Sequence, residues 1–252
     1  MSASPTEAQA WEFAEWNIFD ANVRVGPSGV HGALALESAA LLGEMDRFGI
    51  QRALVSHFTG EEYDAVEGNR ALAHDGHQRF VPAWAACPDA PAMEDLKRRD
   101  PRAVRLWFSG LRHNFSSAGW CAGELLEHLE QRQALVVASR EEIDWAGLAE
   151  LLGNFPRLNV LLLDTGYRSD RYLFPLLLRH LNLFFDSATY VAHRQLESFV
   201  ERFGPERIVF GSRLPLYTPG AALAVLATAR IPDAAKQAIA GGNLRRLLRE
   251  CT

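Results

Sequence analysis

Short apolar runs alternate with amphipathic stretches along almost the whole chain. The runs predict buried strands at residues 18–25, 53–57, 80–86, 103–108, 134–139, 159–164, 183–187 and 208–212. Seven intervals separate the starts at residues 18 and 208, a mean spacing of about 27 residues, which is the size of one strand-plus-helix unit. Helical patterns fall between them at residues 38–48, 65–78, 121–131, 143–153, 171–179 and 194–203. Eight strands with intervening helices predict an α/β fold, a closed parallel (β/α)8 TIM barrel.

The chain is predicted to form one domain. It has 252 residues, 48% of them hydrophobic, enough for one large core, and no linker or shift in composition divides residues 1–252. An open, doubly wound sheet is the alternative. It is disfavoured because the first strand-to-helix turn lacks a glycine-rich phosphate loop.

Charge and composition exclude several classes of partner. A net charge of −5 argues against nucleic acid, and no apolar run is long enough to span a membrane. The segment at residues 1–5 lacks the basic start of a signal peptide. Cys87, Cys121 and Cys251 are widely spaced and odd in number, which suits free thiols. We therefore expect a cytoplasmic protein with a small-molecule ligand, and a homodimer is left open.

The last predicted strand delivers a charged residue where parallel barrels carry their chemistry. Residues 208–210 are apolar, Gly211 and Ser212 follow, and Arg213 precedes Leu214-Pro215. Catalytic residues of such barrels lie at the C-terminal ends of strands. On the same reasoning the barrel mouth is predicted to carry Asn22, Arg24, His57, Trp107, Ser139, Asp164, Asp186 and Arg213.

Several segments together resemble the amidohydrolase-related metal-dependent hydrolases. They are residues 18–26 (IFDANVRVG), 42–50 (LGEMDRFGI), 154–158 (NFPRL), 203–212 (FGPERIVFGS) and 241–243 (GGN). They occur in the order of the family and span residues 18–248. The resemblance implies a TIM barrel and hydrolase or decarboxylase chemistry at its mouth.

The residues that the resemblance implies as metal ligands are replaced. The family's His-x-His on the first strand reads Asn22 and Arg24 here. The fourth strand offers Arg105 in place of Lys or Glu, the fifth-strand histidine falls near Ser139, and Asp164 stands for the sixth-strand histidine. Arg213 takes the position of the eighth-strand aspartate. No expected histidine ligand remains.

Arginine cannot substitute for a metal ligand. Its guanidinium has five donors, no acceptor and stays protonated. An arginine about 6 Å from a divalent cation costs roughly 5 kcal/mol at an effective dielectric constant of about 20. We therefore predict no metal and no cofactor.

Two interpretations of the mouth remain open. In one, Arg213 and Asp164 form an ion pair that replaces the metal electrostatically, because a buried charge needs a partner. In the other, Arg24 or Arg213 binds a substrate carboxylate while Asp164 or His57 moves a proton, with Asn22, Ser139, Asp186 and Trp107 around the substrate. The corresponding functions are a metal-independent hydrolase or decarboxylase of a small carboxylate or lactone, and a degenerate homologue that binds a ligand or partner without turnover.

Overall fold

Strands and helices alternate throughout the computed structural model, which describes residues 16–30 and 35–249. The strands are β1 Ile18–Val25, β2 Ile50–His57, β3 Phe80–Pro82, β4 Trp84–Ala85, β5 Ala103–Leu106, β6 Leu135–Ser139, β7 Val160–Leu163, β8 Leu183–Asp186 and β9 Ile208–Val209. The helices are α1 Ser38–Arg47, α2 Phe58–Glu62, α3 Ala65–His74, α4 Ala90–Arg99, α5 Gly119–Arg132, α6 Trp145–Asn154, α7 Asp170–Arg179, α8 Gln195–Phe203, α9 Pro219–Thr228, α10 Asp233–Gln237 and α11 Asn243–Leu247, with a π-helical turn at Ala238–Gly242.

The strands close into a parallel barrel. Each strand from β4 to β9 pairs with the next, and β1, β2 and β3 form a second parallel series. The two series join at the split third strand, where the Ala83 amide donates to the Val55 carbonyl between β3 and β4 (2.8 Å). At the other seam the Ala21 amide donates to the Phe210 carbonyl, and the Arg24 amide donates to the Leu214 carbonyl, both at 2.9 Å. The predicted (β/α)8 barrel is confirmed.

Side chains that point into the barrel form their own apolar cluster. Phe19, Val137 and Leu161 belong to it, and so do Leu244 and Leu247 of α11. The guanidinium of Arg246 in α11 also lies over the ring of Phe184, so α11 closes the N-terminal end of the barrel. The C-terminal end is left to polar residues.

Outward-facing strand residues pack against the helices, and the strand residues next to them therefore point into the barrel. Phe185 of β8 meets Phe199 of α8 edge to face, with ring centroids 4.9 Å apart. Because side chains alternate along a strand, the next residue, Asp186, points into the barrel, where it is fully buried.

Two details differ from the sequence prediction. The third strand is split in two at Ala83, next to Pro82, which lacks the amide hydrogen that a ladder needs. Helices α2, α4, α9, α10 and α11 lie outside the predicted helical segments. The single domain at 1–252 stays a prediction, and Cys251 lies outside the described residues. None of the helices in the described part is long and apolar enough to cross a bilayer.

Candidate functional site

Asn22 ties two buried carboxylates together at the barrel mouth. Its side-chain amide donates to Asp164 Oδ1 (3.0 Å) and to Asp186 Oδ2 (2.9 Å). Ser139 Oγ donates to Asp164 Oδ2 (3.1 Å), and the Asp164 amide donates to Asp186 Oδ1 (2.9 Å). Four residues predicted from separate strands therefore meet in one hydrogen-bonded group.

Asp186 on β8 and Asp20 on β1 bind a proton more tightly than an aspartate in water, because the pKa of each is raised. Burial raises the pKa of Asp186, and the charge of Asp164 raises it further. Burial also raises the pKa of Asp20 to about 6, although hydrogen bonds with Ser212 and Asn22 oppose the shift. A carboxyl group whose pKa lies near neutral can hold or release a proton at working pH.

An irregularity in β1 brings its polar side chains to the mouth. The register of β1 against β2 shifts between Asp20 and Val23. Asp20 Oδ1 accepts hydrogen bonds from the amides of Asn22 and Ser212, both at 3.0 Å. This carboxyl group holds the bulged segment in place, and bulges beside active sites re-aim side chains in this way.

Arg213 lies between two carboxylates. Its Nη2 donates to Glu141 Oε1 (2.8 Å), and its Nε lies 3.4 Å from Asp164 Oδ1 without a hydrogen bond. The Arg213 side chain is 13% exposed, that of Asp164 1% and that of Glu141 65%. The predicted contact between Arg213 and Asp164 is present, but Glu141 was not foreseen as a partner.

Arg24 forms a buried ion pair with a residue of the short helix α2. Its Nε donates to Glu61 Oε2 (2.7 Å), and its Nη1 donates to Asn22 Oδ1 (3.3 Å). Arg112 Nε lies 3.4 Å from the other oxygen of Glu61. Burial alone would raise the pKa of Glu61, but Arg24, Arg105 and Arg112 outweigh it and hold that pKa at about 2.

Arg105 is the unusual member of the mouth. It is 2% exposed, and neither Nη1 nor Nη2 has a hydrogen-bond partner. Burial lowers its pKa to about 10, and the charge of Arg24 adds to this effect. It lines an internal cavity of about 10 Å³ together with Asn22 and Ser56. Buried Nη donors without an acceptor are costly, so these two groups point to an anionic ligand.

The mouth does not fit the metal ion that the resemblance implies. Its candidate ligands are Asp164 and Asp186, both already accepting hydrogen bonds, and Arg24, Arg105 and Arg213 surround them. Within the described ranges no group of three or more His, Cys, Asp and Glu residues is placed to hold a metal ion. Guanidinium groups repel a cation and offer it no lone pair.

Two of the predicted site residues are not part of this group. His57 Nδ1 accepts from the Thr59 amide (3.1 Å), and His57 Nε2 faces Asp75 at 3.6 Å. Its neighbour in the strand, Ser56, lines the internal cavity instead, because adjacent side chains take opposite faces. Burial lowers the pKa of His57.

Trp107 packs in a small apolar cluster with Ala65, Ala85 and Ala92. Its ring also contacts Arg105, whose guanidinium lies 5.2 Å from the ring centroid, and His113, with ring centroids 5.3 Å apart.

Sequence reasoning missed Arg105, Glu61 and Glu141 as site residues. A signal existed for Arg105, because a charged residue interrupts the apolar run at residues 103–108. Glu61 and Glu141 lie just after strand ends, in segments without apolar periodicity, so nothing in the sequence pattern distinguishes them from surface carboxylates.

The comparisons with known proteins agree with this architecture. The model of a family described as amidohydrolase matches residues 32–249. A search of curated proteins gave no significant match.

Similar solved structures include two decarboxylases and a hydrolase. A 2,6-dihydroxybenzoate decarboxylase complexed with 2,6-dihydroxybenzoate is 17% identical, with a TM-score of 0.72, and covers 92% of this chain and 98% of its own. A 5-carboxyvanillate decarboxylase from Sphingomonas paucimobilis is 17% identical, with a TM-score of 0.67, and the match covers 93% of this chain and 99% of that protein. A putative 2-pyrone-4,6-dicarboxylic acid hydrolase from Pseudomonas putida is 15% identical, with a TM-score of 0.69, and the match covers 94% of this chain and 99% of that protein. At these identities the likeness concerns the fold.

Proposed function

Because this chain belongs to the amidohydrolase family, we propose that it hydrolyses or decarboxylates a small carboxylate- or lactone-type substrate without the metal ion of that family. The observation that carries the proposal is the buried guanidinium of Arg105, which has two donors without partners. A carboxylate matches a guanidinium fork with two parallel hydrogen bonds. The names of the similar enzymes support this substrate class, since they refer to aromatic carboxylates and a pyrone dicarboxylate.

Binding and proton transfer are assigned to different residues. Arg105 and Arg24 hold the substrate carboxylate and so orient the reacting group toward Asp164. In hydrolysis, Asp164 takes a proton from a water molecule whose oxygen attacks the lactone carbonyl, and Arg213 stabilises the oxyanion. The ring C–O bond then breaks, and the leaving oxygen receives a proton from Asp164. In decarboxylation, protonated Asp186 gives its proton to the carbon from which CO2 departs.

A second candidate function is ligand binding without turnover. The closed state of the mouth favours it, because Arg24 and Glu61 are each only 5% exposed and the cavity beside Arg105 has room for about one water molecule. A ligand can occupy such a site only after side chains move.

Turnover by the purified protein separates the two candidates. Protein dialysed against a chelator is incubated with a panel of aromatic carboxylates and lactones, and ring opening and CO2 release are followed. We expect turnover in the wild type and its loss in Asp164→Asn, with the exposed Arg98→Met as matched control. Tight ligand binding without any product would establish the second candidate instead.

A further inference from the structure

We propose that Glu61 is a built-in carboxylate that occupies the anion site, and that the substrate carboxylate binds by displacing Glu61 from Arg24 and Arg112. This inference rests on the proposed function and adds to it the residue that sets the affinity for anions. It assigns Glu61 the role of an intramolecular competitor.

Glu61 lies within a cluster of arginines. Arg24, Arg105 and Arg112 all act on its carboxylate, and the charge of Asp164 also acts on Arg24 and Arg105. Arg24 makes a close ion pair with it, Arg112 a looser one, and both Nη atoms of Arg105 have no partner. The cluster therefore offers more guanidinium donors than Glu61 can satisfy, which is the arrangement expected of an anion-binding site.

The donors nearest to Glu61 are already in use. The cavity next to Arg105 measures about 10 Å³, the volume that one water molecule needs, so it does not hold a carboxylate. Arg24 Nε donates to Glu61 Oε2 (2.7 Å), so a ligand carboxylate reaches this donor only when the Glu61 carboxylate leaves it. Two carboxylates have the same shape and accept hydrogen bonds from the same guanidinium donors, so exchange of one for the other leaves the arginines satisfied.

A surface cleft leads to this position. Arg112 and His113 line a cleft of about 600 Å³ together with Tyr63 and Phe115. Arg112 also contacts Glu61, so it connects the cleft with the buried ion pair. A ligand that enters the cleft meets Arg112 first and reaches Arg24 and Arg105 once Glu61 has turned away.

The backbone of α2 is held independently of the Glu61 side chain. His113 Nε2 donates to the Gly60 carbonyl (2.7 Å). Gly60 also packs against Gly68 of α3 so closely that a Cβ on Gly68 would lie 2.1 Å from the Gly60 Cα. These contacts keep the helix in place while the side chain of Glu61 rotates.

Binding of benzoate tests the inference, with neutral benzamide as the matched ligand. We expect Glu61→Gln to lower the Kd of benzoate by about tenfold or more, because the intramolecular competitor and its high effective concentration are lost. Glu61→Asp keeps the buried charge that balances Arg24 but shortens the reach to it, so it should perturb folding less than Glu61→Gln and show a smaller gain in affinity. Glu62→Gln, which alters the adjacent carboxylate, should leave the Kd unchanged.

The direction in which the Kd of benzoate changes shows whether Glu61 competes with the ligand or positions the arginines for it. If Glu61 merely positions the arginines for a ligand, both Glu61 variants will bind benzoate more weakly than the wild type, or not at all. Unchanged or weaker binding in Glu61→Asp would overturn the inference even if Glu61→Gln fails to fold. Absence of turnover would leave this result intact, because only the Kd of benzoate is measured here.

Discussion

Arg213 Nε lies 3.4 Å from Asp164 Oδ1, and both residues have left-handed backbone, with φ of 62° and 58°. Such angles cost free energy in residues other than glycine, although aspartate tolerates them better than most. The two residues follow β9 and β7, where chemistry is found in parallel barrels. Because Arg213 Nε forms no hydrogen bond, the pair predicted from the sequence is present but incomplete.

The stability of this pair can be measured with a double-mutant cycle. Arg213→Ala should lower the free energy of unfolding by about 1–2 kcal/mol, since Asp164 keeps its bonds to Asn22 and Ser139. Asp164→Ala should cost about 3 kcal/mol because it removes the acceptor of those bonds as well. The double variant should cost about 1 kcal/mol less than the sum. Urea unfolding gives all three values, with Arg179→Ala as control, and strict additivity would disprove the coupling.

Arg105 should lower the stability of the fold and be required for binding the carboxylate. Arg105→Met removes a buried charge without hydrogen-bonded Nη atoms and fills its place with an apolar chain of similar length. We expect the free energy of unfolding to rise by about 1–2 kcal/mol while carboxylate binding and turnover are lost. Thermal unfolding with and without benzoate measures both effects. A destabilised variant that still binds benzoate would show that Arg105 is a structural residue.

Asp20 should make folding sensitive to pH. Its pKa is raised by burial from 3.8 to about 6 in the folded protein, so the protonated form is favoured there. The raised pKa stabilises the folded protein by its full amount below about pH 4, and this stabilisation is lost as the pH rises through about 6. The free energy of unfolding falls by roughly 2–3 kcal/mol over that range. Asp20→Asn should remove this loss. Unfolding of wild type and variant is compared from pH 4 to pH 7, and parallel pH profiles would refute the assignment.

Metal removal should have no effect on folding. The mouth presents arginines where a cation would need lone pairs. We expect less than stoichiometric zinc, manganese and iron in dialysed protein and an unfolding midpoint that chelators leave unchanged. Elemental analysis and thermal unfolding provide the measurements. One equivalent of a transition metal bound at the mouth would contradict this prediction.

His57 should matter for stability and not for turnover. Its Nδ1 accepts the Thr59 amide at the start of α2, as a capping residue does. His57→Ala should cost about 1 kcal/mol of unfolding free energy because this amide loses its acceptor, while kcat stays unchanged. Denaturant unfolding and steady-state kinetics test the two statements. A large loss of kcat at unchanged stability would restore His57 to the catalytic group.

The sequence determined the barrel and the position of most of its polar mouth. The period of about 27 residues gives strand-plus-helix units, and strand ends in such a fold meet at one edge because the strands are parallel. For that reason Asn22, Ser139, Asp164 and Asp186 were predicted together without any structure. The same argument also placed His57 in the site. The end of a strand fixes only how far along the barrel axis a residue lies, whereas the register decides whether its side chain points into the barrel.

Only the tertiary structure decided which arginine has Nη atoms without a hydrogen-bond partner. The sequence pattern singled out Arg24 and Arg213 as cations at the mouth but not Arg105, which lies inside the apolar run at residues 103–108. Glu61 and Glu141 come from segments without periodicity, and packing alone brings them to Arg24 and Arg213. Pairing is a property of distances between remote segments, so the sequence could show that charges gather at the mouth but not which of them remain open to a ligand.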